Sequence, residues 1–417
     1  MRNWGGNHTY RGAGRLHRPA TLDEAREIVA AAPRLRVLGS RHSFSDLADS
    51  AELLSLDALP ADIVVDHAAG TVALGGAVTY GALAAALNAE GVALGNLASL
   101  PHISVAGAIA TATHGSGDAN GNLATAVRAL QLITSDGELL TAQRGDPDFD
   151  GLVVGLGALG AVTRVTLDVE PAYAVRQRVF EGLAWDTLAD HFDAVTASGY
   201  SVSLFTLLGD AVDQVWVKTR ITEPSPDPSA RPDLFGARAA TAERHPIAGM
   251  DPINCTPQLG APGPWSDRLP HFRMGFTPSA GAEIQSEYHV PRRHALAAIA
   301  AVRGLAGAIR PLLQVCEIRT IAADELWLSP QHRRDAVALH FTWRRDQPAV
   351  ERVLAGIEAA LAPFDARPHW GKAFLMQAPT IGALYARLPD FAALVDRLDP
   401  RGAFRNDWLE RHVLGAS

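Results

Sequence analysis

Gly155-Leu156-Gly157-Ala158-Leu159-Gly160 runs directly into Ala161-Val162-Thr163-Arg164-Val165-Thr166-Leu167, and the choice of fold turns on that junction. The first six residues match the G-x-G-x-x-G dinucleotide fingerprint letter for letter. That fingerprint needs a helix after it, because the pyrophosphate sits on the helix N-terminus. Here the following residues are β-branched and alternate apolar with polar, the pattern of a half-buried strand. The glycines therefore form a turn entering a sheet, and a nicotinamide-binding Rossmann domain is rejected.

Working outward, residues 127–134 and 138–142 flank Ser135-Asp136-Gly137, a hairpin signal. Residues 63–65 and 72–74 read as two more short strands. Thr21-Leu22-Asp23-Glu24 is a capping box, and Leu22, Ala25, Ile28 and Val29 continue it as one apolar stripe, predicting a helix over 22–31 that Pro33 ends. Leu35, Val37 and Leu38 predict a short buried strand. Residues 82–87 predict a helix stopped by Gly91. Beyond about Arg176, strands over 214–218, 271–276, 285–290, 316–321 and 338–343 alternate with helices over 293–303 and 350–361. The Pro-rich, polar segment 224–264 is expected to be a long surface loop. Runs of antiparallel strands with helices to one side predict an α+β architecture rather than a doubly wound one.

The 417 residues, 47% hydrophobic, suffice for two or three domains with full cores. A net charge of -8 without any basic run argues against nucleic acid or an acidic membrane surface as a partner. Cys255 and Cys316 are the only cysteines, too few for a disulfide framework. No His-Glu-x-x-His or cysteine cluster offers a metal site, and no G-x-S-x-G elbow suggests a hydrolase. Residues 1–7 lack the apolar core of a signal peptide, and no run of about 18 apolar residues could span a bilayer. The expectation is a cytoplasmic monomer that holds no metal.

Two segments are suited to holding a large ligand. Gly39-Ser40-Arg41-His42-Ser43-Phe44 leaves a buried strand through a glycine and exposes successive backbone N–H groups, the makings of a phosphate nest. On residue type alone His42 is a ligand, a base or a tether. Ser99-Leu100-Pro101-His102-Ile103-Ser104-Val105-Ala106-Gly107-Ala108-Ile109-Ala110-Thr111-Ala112-Thr113-His114-Gly115-Ser116-Gly117 is rich in small residues that let a flat ligand approach the backbone, with hydroxyls as donors. Tight helix packing explains its alanines but not the Thr111/Thr113 pair or His114-Gly115-Ser116-Gly117.

These two segments, with their Ser-x-His-Ser and Ala-Thr-x-Thr-His-Gly signatures, resemble the FAD-binding domain of the vanillyl-alcohol oxidase superfamily. Within it the chain is similar to the alditol oxidase family. The similarity runs through Trp4-x-Gly6-Asn7, residues 98–107, Ala261-Pro262-Gly263-Pro264-Trp265, Gln285-Ser286-Glu287-Tyr288, Glu317-Ile318-Arg319-Thr320, His340-Phe341-Thr342-Trp343 and Arg367-Pro368-His369-Trp370-Gly371-Lys372, in order along essentially the whole chain. The resemblance implies an FAD-binding domain over 1–175, a substrate-binding cap over 176–373 and a segment over 374–417 that returns to the first domain. It implies FAD bound covalently through His42 and lined by Gly39, Ser40, Arg41, Ser43, Phe44, Ser99, Ser104, Gly107, Thr111, Ala112, Thr113, His114, Val162 and His369. Arg41 departs from the family motif, which has glycine there, so position 41 is either a phosphate partner or solvent-facing.

Glu317 and Arg319 sit two apart in one predicted strand, and His340 and Thr342 in another, so each pair shares a face. With His369 and Lys372 they make a candidate polar pocket. A buried polyol needs a partner for each hydroxyl, at about 1–3 kcal/mol for every group left unsatisfied. By resemblance, Ser99, Glu317, Arg319, Thr342 and Lys372 bind an alditol such as xylitol or sorbitol, whose terminal alcohol is oxidised to the aldose as O2 becomes H2O2. Lys372 or Glu317 would take the hydroxyl proton, and Arg319 would stabilise developing negative charge. The nearest rival is an oxidase or dehydrogenase of sugar-1,4-lactones from the same superfamily. A non-catalytic flavin or sugar carrier is a second rival.

Overall fold

The computed structural model describes residues 1–221, 230–275 and 283–416. Gly157 and Gly160 take positive φ angles, and the chain then enters the strand Ala161–Asp168, whose residues alternate between buried and half-buried. That strand is central in a five-stranded antiparallel sheet, in the order Ile63–Asp66, Thr71–Gly75, Ala161–Asp168, Val127–Ile133, Leu139–Gln143. The predicted hairpin is its outer pair.

Local signals set the first helix, Leu22–Ala31. Thr21 Oγ1 accepts from the Glu24 N–H at 3.2 Å, and the Glu24 carboxylate accepts from the Ala20 N–H at 2.8 Å. Its inner face, Ala25 and Val29, packs with Leu35, Leu54, Ile133, Ala161 and Phe404. The strand Leu35–Val37 pairs in parallel with Glu52–Leu54, which pairs in parallel with Leu16–His17. It delivers the chain into Gly39–Phe44.

The second half is built on a ten-stranded antiparallel sheet, counted over the described residues. Its middle runs Ala174–Ala184, Ala211–Ile221, Ser201–Thr206, Leu313–Ile321, Ala336–Arg344, Glu283–Pro291. Helices Ala295–Gly304 and Gln347–Leu361 occur where helices are predicted. An antiparallel sheet presents alternate residues to opposite faces. Leu339, Phe341 and Trp343 enter the apolar core, while His340 and Thr342 point the other way, into a cavity.

Two expectations need correction. Segment 224–264 is not a plain surface loop: of its described part, Asp233–Leu234, Ala237–Ala239 and Gly263–Pro264 extend the large sheet, and His245, Pro246, Ile247, Met250 and Asn254 line the cavity. It is tied to the sheet by Arg244, which makes a two-pronged pair with Glu181 of the Ala174–Ala184 strand at 2.7 and 3.0 Å. Residues 224–229 lie outside the described residues. The strand predicted over 271–276 is absent from 271–275, where only an isolated bridge joins Phe272 to Cys255; Phe276 is outside the described residues.

The last segment folds back on the beginning. The Leu35 N–H donates to Ala403 O at 2.7 Å, Arg36 donates to Phe404 O at 2.8 Å, and Asn406 Nδ2 donates to Leu47 O and Asp49 O at 3.0 and 2.9 Å.

Candidate active site

Residues from both halves line one cavity of about 510 Å3, within the roughly 300–1,000 Å3 of small-molecule sites. One wall is the pair of small-residue segments. The Ser104 N–H donates to Ser40 Oγ at 3.0 Å, drawing them together. A Cβ at Gly39 would sit 2.7 Å from Ser104 Oγ and push that hydroxyl aside. Thr111 Oγ1 donates to Gly107 O at 3.0 Å and lies 3.2 Å from Thr113 Oγ1. Ser43, Phe44, Ser99, Val162 and His369 also reach the cavity. Ala112 does not: its φ of 52° turns Thr111 and Thr113 toward the cavity and its own methyl into the core. Arg41 is exposed at the rim with a φ of 62°, a backbone conformation that favours glycine.

His42 lies at this wall, its ring 5.5 Å from that of Trp4 at an interplanar angle of 24°. Its Nδ1 is buried with no hydrogen-bond partner among the described residues. Burial, aided by His102, pulls its pKa down to about 4. A neutral imidazole with an unengaged nitrogen, beside a cradle of backbone donors and hydroxyls, fits a phosphate-bearing cofactor held through that ring.

The opposite wall is assembled by strand register. Glu317, His340 and Glu287 stand directly opposite one another across three neighbouring strands, and Thr342 stands opposite Gln285. Arg319 follows two residues after Glu317 on the same face. Lys372 arrives from the loop after Arg367–Pro368, which pairs with the Glu283–Pro291 strand.

The carboxylate of Glu287 is the hub. Lys372 Nζ donates to Oε2, while His114 Nε2 and Arg319 Nη2 lie 2.9 and 3.2 Å from Oε1. Burial works to raise its pKa, but Lys372, His114 and Arg319 outweigh that and hold it well below the ordinary carboxylate range. Arg319 also reaches Ser99 Oγ at 3.4 Å and Glu317 Oε1 at 3.5 Å. Burial likewise works to raise Glu317, and Arg319 and His271 overcome it, so Glu317 too is held low. Lys372 Nζ lies 2.7 Å from His340 Nδ1, and His340 Nε2 lies 3.1 Å from Thr342 Oγ1. Burial lowers the pKa of Lys372 against the pull of Glu287. Burial and then Lys372 bring His340 down to about 4.

His114, Glu287 and His369 lie close enough to hold a metal ion. Lys372 and Arg319 already neutralise that carboxylate, and a divalent cation would face both at short range. The donor set suits an ion-pair network rather than a metal.

Two family models match: one described as an FAD binding domain over residues 14–143, and one as D-arabinono-1,4-lactone oxidase over 281–412. A cholesterol oxidase from B. sterolicum superposes with a TM-score of 0.76 at 15% identity, over 99% of this chain and 96% of that one, a likeness of fold alone. Fold and cradle thus define an FAD-binding protein of the vanillyl-alcohol oxidase fold. An alditol oxidase from a Streptomyces species is 51% identical over 98% of this chain and 97% of its own. An L-gulono-1,4-lactone dehydrogenase from Mycobacterium tuberculosis is 27% identical over 95% of each chain. The chain belongs to the alditol oxidase family.

Sequence reasoning missed several residues of the cavity. The turn at 155–160, set aside as a Rossmann motif, forms part of its wall. Arg36 joins that turn to the C-terminal segment by donating to Leu156 O at 2.6 Å, Gly157 O at 2.8 Å and Phe404 O at 2.8 Å. Glu287 was visible only as one letter of Gln285-Ser286-Glu287-Tyr288. The period-2 face it shares with Gln285 was the available signal. Among the described residues, no helix is long and apolar enough to cross a membrane.

Proposed function

We propose that this protein is an FAD-dependent oxidase that converts the terminal primary alcohol of an alditol, such as xylitol or sorbitol, to the aldose while O2 is reduced to H2O2. One observation carries the reading: carboxylate, guanidinium, hydroxyl and ammonium groups from Glu317, Arg319, Thr342, Ser99 and Lys372 face a single cavity whose other wall is the Gly39–Thr113 cradle. The identity to an alditol oxidase over nearly the whole chain supports it.

Gly39, Ser40, Arg41, His42, Ser43, Phe44, Ser104, Gly107, Thr111, Thr113, His114, Val162 and His369 would hold FAD, with His42 as the covalent tether. FAD, when bound, supplies the hydride acceptor and passes electrons on to O2. The protein's own residues manage the proton. Lys372 rests as the ammonium partner of Glu287, and burial eases loss of its proton. The free amine needed for catalysis then keeps two N–H groups for Glu287 and His340 and a lone pair for the substrate hydroxyl. Glu287 stabilises the ammonium that results. Glu317 is held too low to serve as the base and acts as an acceptor for substrate hydroxyls. Arg319 stabilises the developing alkoxide. The division into 1–175, 176–373 and 374–417 is part of the same proposal, supported by the contacts of residues 403–406 with 35–49. A monomeric, cytoplasmic state accompanies it.

The lactone oxidase model over 281–412 supports a second reading, oxidation of an aldonolactone. Anaerobic mixing with xylitol, followed by flavin absorbance, tests the first. Peroxide from a panel of xylitol, sorbitol, glycerol and gulono- and galactonolactone separates the two. Bleaching by lactones alone overturns the alditol reading, and bleaching by neither class leaves a carrier.

A further inference from the structure

Behind Glu317 lies a lysine that the ion pairs around Glu287 do not use. Lys218, on the strand Ala211–Ile221, is 1% exposed. Its Nζ donates to Leu269 O and Pro270 O, the latter at 3.3 Å, and lies 3.0 Å from His271 Nδ1. The other nitrogen of that ring, Nε2, is 2.8 Å from Glu317 Oε1. The charged groups facing His271 are Lys218 from one strand and Glu317 and Arg319 from another. Its remaining neighbours are the rings of Phe205, Trp216 and Phe272.

Burial brings the pKa of the Lys218 ammonium down to about 7; with that ammonium in place, its contacts leave one arrangement for the ring. Carbonyl oxygens only accept, so the three ammonium protons of Lys218 go to Leu269 O, Pro270 O and His271 Nδ1. With Nδ1 accepting, the single proton of a neutral ring must sit on Nε2 and donate to Glu317. Burial, then Lys218, opposes a second proton on the ring and brings its pKa down to about 4. The opposite tautomer would set a lone pair against a carboxylate.

We propose that Lys218 and His271 are positioning residues: Lys218 fixes the Nε2–H tautomer of His271, and His271 holds Glu317 ionised and aimed as an acceptor for a substrate hydroxyl. The role assigned to Glu317 rests on the polyol reading above; the tautomer lock does not.

Two measurements on the FAD-loaded protein test this. The 15N shifts of the His271 ring are expected to show an unprotonated Nδ1 in the wild type and a proton on Nδ1 as well as Nε2 in Lys218→Met, where the opposing ammonium is gone. An Nδ1 that stays unprotonated in Lys218→Met overturns the part given to Lys218. A protonated Nδ1 in the wild type overturns the lock whatever the substrate. Flavin reduction under anaerobic conditions, against xylitol concentration, then gives limiting rate and apparent Kd separately. In His271→Phe, which keeps a ring but no donor, Kd is expected to rise about tenfold, the scale of one hydrogen bond to a charged group. The limiting rate should stay within about threefold of wild type, with flavin content unchanged. His271→Gln, which restores a donor, should recover most of the affinity. An unchanged Kd in His271→Phe, or a His271→Gln no better than His271→Phe, overturns the positioning role. Wild-type protein that xylitol fails to reduce, with the shifts as expected, overturns the polyol reading and leaves the lock standing.

Discussion

Replacing Glu287 by glutamine keeps the shape of the hub and removes its charge. Glu287 is fully buried, with Lys372 and Arg319 against its two oxygens and His114 2.9 Å away. Breaking a buried ion pair from one side leaves uncompensated charge and costs about 3–5 kcal/mol. Unfolding entropy of about 2.1 cal/mol/K per residue amounts, over this chain, to about 0.9 kcal/mol/K. Glu287→Gln should therefore lower Tm by about 3–6 °C at pH 7, measured by scanning calorimetry at matched FAD content. The pH dependence supplies a second check. The folded-state pKa of Glu287 is depressed, so its contribution is complete above its unfolded value near 4.5 and is lost as pH falls through the folded value. The wild type should lose stability on acidification below about pH 4.5 more steeply than Glu287→Gln. A variant within 1 °C of wild type (a resolution of about 1 kcal/mol) and with the same acid limb would show that Glu287 is not the ionised counter-charge of Lys372 and Arg319.

Acid precipitation of the wild type should leave yellow colour on the polypeptide, and His42→Ala should release it; free flavin from both would remove the tether. Lys372→Met should slow flavin reduction by xylitol at least about 100-fold, the lower range for losing a general base, and a wild-type rate would exclude Lys372 as proton acceptor. Gly39→Ala pushes a methyl toward Ser104 Oγ, so purified protein should retain less FAD while its far-UV circular dichroism is unchanged. Thr21→Ala removes the N-cap of Leu22–Ala31 and should cost about 1 kcal/mol, seen as a drop in Tm of about 1 °C without loss of flavin.

Much of the architecture was legible because its causes are local. The capping box at Thr21–Glu24 and the stop at Pro33 bound a helix without outside help. The period-2 alternation after Gly160 separated a sheet from a Rossmann helix, and the same alternation told which of Glu317, Arg319, His340 and Thr342 share faces. The cradle was legible from composition, since few functions other than close approach call for so many small residues around paired threonines.

Other features depend on which strands lie side by side and in what register, and alternation within one strand carries no such information. Only the paired strands bring Glu287, His340 and Glu317 into one row. Only the folded chain places 245–272 over the cavity, turns Ala112 away from it and buries Lys218 behind His271. Sequence by itself determined the antiparallel α+β class, the cradle and the polar strand faces, because those follow from spacing along the backbone. Tertiary structure alone decided which buried charge each of those faces meets, because an ionised group in the interior is stabilised only by partners that folding brings from elsewhere in the chain.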